Sequence, residues 1–145
     1  MYEIRSIKDD DLLDIESIVE QSFENEYIRS GYIEELKYLA KHDIVDYILT
    51  ASTKLEVVGF IHGTDYVDCG EVDYLVVDKD YRKEGIGTLL LKELGKKFLE
   101  DNFENMRLVP TPTSEQFYRK LGFRHTNNYK MMIRINQLLS PDTYL

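Results

Sequence analysis

The segment Tyr74-Leu75-Val76-Val77-Asp78-Lys79-Asp80-Tyr81-Arg82-Lys83-Glu84-Gly85-Ile86-Gly87-Thr88-Leu89-Leu90 changes its period halfway along. Up to Val77 it is apolar and β-branched, which reads as a strand. From Ile86 on, Ile86, Leu89, Leu90, Leu94 and Phe98 recur at helical spacing, with Lys92, Glu93, Lys96, Lys97 and Glu100 on the other face. Gly85 and Gly87 stand at the junction. The first four N–H groups of a helix have no partner inside it and carry the positive end of its macrodipole. The junction therefore predicts an anion cradle, with Arg82 and Lys83 adding charge at its mouth. A nucleotide P-loop would need Lys before the Ser or Thr, but Thr88 follows Gly87 directly. A dinucleotide fingerprint would need a third glycine where Leu90 stands. Two glycines by themselves are better explained by a tight strand-to-helix connection.

Working outward, Tyr2–Ile7 alternates as a strand, and Asp9 is placed to cap a helix that runs to about Phe23. Ser30-Gly31 reads as a break before a shorter helix, Tyr32–Leu39. Ile44–Ala51 and Leu55–His62 read as strands joined at Ser52-Thr53-Lys54, and Gly63–Gly70 as a turn region before a strand at Glu71–Val77. Beyond the central helix come a strand at Met106–Val109, a helix at Ser114–Leu121 closed by Gly122, and strands at Phe123–Thr126 and Tyr129–Ile135 turning at Asn127-Asn128. The ten residues 136–145 carry no assignment. The order β-α-α-β-β-β-α-β-α-β-β describes one mixed α/β domain over residues 1–145.

With 145 residues, 43% of them hydrophobic, 11 Tyr and 6 Phe, the chain can bury one core and is not disordered. Its net charge of -9 and scattered basic residues argue against nucleic acid as a partner. No window approaches the ~20 apolar residues of a membrane span. The N-terminus lacks a basic region followed by an apolar one, and Cys69 is the single cysteine, so a reducing cytoplasm is expected. His42, His62 and His125 are widely spaced, and no metal is expected.

Arg82-Lys83-Glu84-Gly85-Ile86-Gly87, led in by Leu75, Val77 and Tyr81, resembles the acetyl-CoA-binding motif of the GCN5-related N-acetyltransferase (GNAT) superfamily. Phe117-Tyr118-Arg119-Lys120-Leu121-Gly122-Phe123 resembles the same family's second signature, and Val57-Val58-Gly59-Phe60-Ile61 is a weaker echo. Lys79 stands where the family often has Pro, and Thr111 and Ser114 where it often has Asn and Ala. The resemblance implies a central, mostly antiparallel twisted sheet of six to seven strands with about four helices.

It also implies transfer of an acetyl group from acetyl-CoA to an amine acceptor in a ternary complex, and is compatible with a homodimer. By the family's pattern, Arg82, Lys83, Glu84, Gly85, Ile86, Gly87 and Thr88 hold the diphosphate. Val76 and Val77 run beside the pantetheine arm, and the Leu75 N–H faces the developing oxyanion. Tyr118 is the acid. Glu71 and Asp73, two apart on one strand and so on one face, are both candidates for the base, directly or through water. Tyr27, Tyr32, Tyr38 and Tyr66 fall in segments that wall the family's acceptor site. Asp65, Asp68, Glu71 and Asp73 together would attract a cationic acceptor. The alternative is an acyl-CoA-binding domain without turnover.

Overall fold

The computed structural model describes residues 1–23 and 25–140. Seven strands form a sheet in the order β1-β2-β3-β4-β5-β7-β6. They are β1 (Glu3–Ser6), β2 (Ile48–Ser52), β3 (Val57–Tyr66), β4 (Cys69–Val77), β5 (Asn105–Leu108), β6 (Arg124–His125) and β7 (Met131–Arg134). Five helices accompany them: α1 (Leu12–Ser22), α2 (Glu26–Lys41), α3 (Ile86–Glu100), α4 (Glu115–Leu121) and α5 (Ile135–Leu139). β4 and β5 are parallel; β1–β2, β2–β3, β5–β7 and β6–β7 are antiparallel. No helix among the described residues is long and apolar enough to cross a membrane. The chain forms two compact units, Met1–His62 with Tyr74–Leu91, and Gly63–Asp73 with the chain from Lys92 on.

In the first unit α1 and α2 bury Ile15, Ile18, Val19, Tyr32, Ile33 and Leu36 against Phe60 and Val76 of the sheet. Three sequence expectations change here. Asp9 does not cap α1: residues Asp9–Asp11 form a 3-10 turn, and Asp11 occupies the cap position. Asp11 is buried, bonds the Lys8 N–H, and takes both Arg5 Nη groups at 2.7 and 2.8 Å. Ser30-Gly31 does not break the second helix, which begins at Glu26. Asn25 caps it by accepting from Tyr27 N and Ile28 N. A glycine in an exposed helix interior costs about 1 kcal/mol, less than burial of Tyr32, Ile33 and Leu36 on the opposite face returns. Strand β2 starts at Ile48, not Ile44. Its partner β1 begins opposite Ser52 and ends opposite Leu49, and Val45 closes a turn onto Ile48 N.

In the second unit the expected turn at Gly63–Gly70 shrinks to Val67-Asp68, with β3 running to Tyr66 and β4 starting at Cys69. The glycines serve close approach instead. A Cβ at Gly63 would lie 2.9 Å from Leu94 Cδ2 and 3.0 Å from Phe98 Cζ, and one at Gly70 would clash with the Phe98 ring. The last strand ends at Arg134; Ile135–Leu139 forms α5, which buries Ile135 and Leu138. Residues 141–145 of the unassigned tail lie outside the described residues.

Candidate functional site

The strand-to-helix junction lies in the first unit. Val77 ends β4, a 3-10 turn spans Lys79–Tyr81, and α3 starts at Ile86. Between them Lys83 and Gly85 adopt left-handed φ of 68° and 83°. A Cβ at Gly85 would meet nothing within 4 Å, so glycine is required there by conformation and not by space. Lys83 holds the left-handed region despite its Cβ, a strain that is characteristic of functional turns. The Arg82 Nε donates to the Val77 carbonyl at 3.2 Å, folding the loop back onto the strand end. Two left-handed residues in three turn this backbone sharply into the N-terminus of a 15-residue helix. That geometry, with the cations Arg82 and Lys83, fits a diphosphate.

Glu84, between Lys83 and Gly85, carries a charge that opposes an anion, and Tyr2 holds its carboxylate at 2.6 Å. Gly59, the centre of the weaker echo, has its reason too: a Cβ there would press on Ile86 Cγ2 and the Val76 carbonyl, both at 3.2 Å. The Lys79 N–H donates to Gln21 Oε1 at 3.0 Å, a bond that a proline at that position could not make.

The second unit holds Glu71, Asp73 and Tyr118. β4 pairs with β5 only over Gly70–Val72, and runs on past the last pair to Val77. Glu71 lies within the stretch of β4 that pairs with β5, and Asp73 lies one residue past it. Arg107, opposite Glu71 in the register, donates from Nε to Oε2 at 2.9 Å. Asp73 accepts from Thr64 Oγ1 at 3.0 Å. Tyr66, two residues beyond Thr64 on β3, covers the Arg107 guanidinium, so both carboxylates share a face as expected.

Tyr118 lies on α4, its ring edge-on to Phe117 and Phe123. Burial pushes its phenol up to about 12, which keeps it in the proton-donating form. The hydroxyl makes no hydrogen bond to a described residue, and Tyr118 as a whole is 8% exposed. Thr111 and Ser114 close on each other ahead of α4, with Thr111 N to Ser114 Oγ at 2.9 Å and Ser114 N to Thr111 Oγ1 at 3.2 Å.

The other residues singled out from sequence separate. Tyr32 is core, stacked on Phe23 and bonded to His62 Nδ1 at 2.9 Å. Tyr27 and Tyr38 are exposed, Tyr38 stacking on His42. Cys69 is buried and burial raises its thiol. Among the described residues no group of three or more His, Cys, Asp or Glu could hold a metal ion. A cavity of about 210 Å³ beside α1 and α2, lined in part by Glu16, Glu20, Arg29 and Ile33, includes none of the motif residues. Sequence reading missed Arg107, His62 and Tyr2. Each acts through a partner tens of residues away, which no local pattern reveals.

The Acetyltransferase (GNAT) family model matches residues 12–123, and the chain belongs to this family. It is accordingly an acyltransferase of the acetyl-CoA-dependent N-acetyltransferase class. No curated protein matches the sequence. Among solved structures the fold is similar to Ard1 from Thermoplasma volcanium, at 24% identity and a TM-score of 0.74 over 92% of this chain and 97% of that one. It is similar also to the PaiA N-acetyltransferase from Thermoplasma acidophilum in complex with coenzyme A (22%, 0.75, 92% and 99%). A third is the ribosomal-protein-S18-alanine N-acetyltransferase from Escherichia coli (16%, 0.72, 93% and 94%).

Proposed function

We propose that this chain transfers the acetyl group of acetyl-CoA to a primary amine, of a small molecule or a protein, by direct attack in a ternary complex. The observation that carries this is the left-handed pair Lys83 and Gly85 turning the Arg82 loop into the start of α3. Backbone N–H groups from Arg82 to Thr88 bind the diphosphate, with Arg82 and Lys83 supplying charge. The Val76 and Val77 backbone, on the part of β4 beyond its β5 pairs, lies along the pantetheine arm. The family match over residues 12–123 runs through both units, which supports reading residues 1–145 as one N-acetyltransferase domain.

Acetyl-CoA supplies the acyl group: a nitrogen–carbon bond forms as the carbon–sulfur bond breaks. An alkylamine with pKa near ~10.4 arrives protonated, and Glu71 or Asp73, directly or through a water, takes that proton. The Leu75 N–H stabilises charge gathering on the carbonyl oxygen. Tyr118 gives its proton to the departing thiolate, whose conjugate acid has a pKa near ~8.5.

Calorimetry with coenzyme A tests the cradle: the native protein binds, and Gly87→Glu, which places bulk and negative charge there, does not. Equal affinity in a folded Gly87→Glu variant overturns the site. Thiol release from acetyl-CoA over a panel of amines tests transfer; binding without release on any amine would leave a CoA-binding domain that lacks turnover.

A further inference from the structure

Arg107 has no part in the motifs, yet it is held on the face that carries Glu71 and Asp73. Its Nε is fixed in the plane of the guanidinium by Glu71 at 2.9 Å, and the Tyr66 ring lies 4.1 Å from its Cζ. Its side chain is only 16% exposed. The Tyr66 hydroxyl also bears on the guanidinium, and the two Nη groups donate to no described carboxylate or carbonyl. A guanidinium held along its Nε edge and one face, with no carboxylate on its Nη groups, is preorganised for a planar anion.

The surroundings select among anions. Glu71 compensates part of the guanidinium charge, and Asp73 lies on the same face of β4, so a plain anion is disfavoured. An acceptor that is both ammonium and carboxylate meets no such penalty: its nitrogen faces Glu71 and Asp73 while its carboxylate faces Arg107. A polyamine would place a cation against the guanidinium instead.

We propose that Arg107 is a carboxylate subsite and that the acceptors of this enzyme are amino acids or related amines bearing a nearby carboxylate. The inference rests on the acetyltransfer reading above and narrows its acceptor. The test compares a set of amino acids with their carboxamides in acetyl-CoA thiol-release assays, using the native protein, Arg107→Gln and Arg107→Lys. The acids are expected to be favoured in kcat/KM by about tenfold or more, the ratio falling to near one in Arg107→Gln and lying between in Arg107→Lys. A purely structural role would lower both acceptor types together and leave the ratio intact. Equal use of acids and amides by the native protein, or a ratio unchanged in a folded Arg107→Gln, overturns the proposal. If only other amines are acetylated, this inference falls while transfer stands; if no amine releases thiol, transfer itself falls.

Discussion

The hydroxyl of Tyr2 donates to Glu84 Oε1 at 2.6 Å, bridging 82 positions of sequence to hold a carboxylate in the middle of the anion-binding loop. That bond also raises the Tyr2 phenol, so Tyr2 remains a donor at neutral pH. Freed, the carboxylate can swing toward the diphosphate. Tyr2→Phe is expected to raise the Kd for coenzyme A about threefold, and Glu84→Gln to lower it. In the double variant the Tyr2 effect should vanish. Calorimetry at low and high salt checks both, because the difference should shrink as salt screens it.

Gly85 and Gly59 should respond to alanine for different reasons. At Gly85 (φ 83°) no protein atom stands within 4 Å, so Gly85→Ala costs left-handed strain of about 1–2 kcal/mol, lowers Tm by several degrees, and weakens coenzyme A binding through the cradle backbone itself. At Gly59 the added methyl presses on Ile86 and on the Val76 carbonyl, displacing the first turn of α3. Gly59→Ala should therefore weaken coenzyme A binding along with stability. Thermal melts with and without coenzyme A check both.

His62 is 6% exposed, and burial lowers its pKa to about 4 from 6.5. The unfolded chain protonates near 6.5 and the folded one only near 4, so the unfolded state binds more protons between those values. Stability is full above pH 6.5, falls as the pH drops toward 4, and levels off below; the loss is on the order of 3 kcal/mol. His62→Gln keeps an acceptor for the Tyr32 hydroxyl and removes this titration. Urea unfolding at pH 7 and pH 4.5 should show a smaller pH-dependent loss in the variant than in the native protein.

Tyr118→Phe retains the ring that packs on Phe117 and Phe123 and deletes only the hydroxyl. Turnover is expected to fall about 100-fold with coenzyme A affinity unchanged. Because burial pushes the phenol up to about 12, Tyr118 stays protonated through pH 10 and contributes no alkaline limb to the native rate profile. An unaffected rate would return Tyr118 to the core.

The sequence by itself determined the strand-to-helix junction at Val77–Ile86, the second signature around Tyr118, the element order as far as the last strand, and the family, because each is written in neighbouring residues: period, and glycine where φ must be positive. It also placed Glu71 and Asp73 on one face, since alternation along a strand is local. The lengths of α2 and β3 were decided elsewhere. Ser30-Gly31 stays helical because the apolar face of α2 outweighs its local cost. Gly63 and Gly70 stay in strands because the Phe98 ring needs the room. The partners of Glu71, Glu84 and His62, which are Arg107, Tyr2 and Tyr32, were fixed only by tertiary structure. Strand pairing and helix packing bring such residues within 3 Å, and those contacts follow from the register between distant segments, which no single segment encodes.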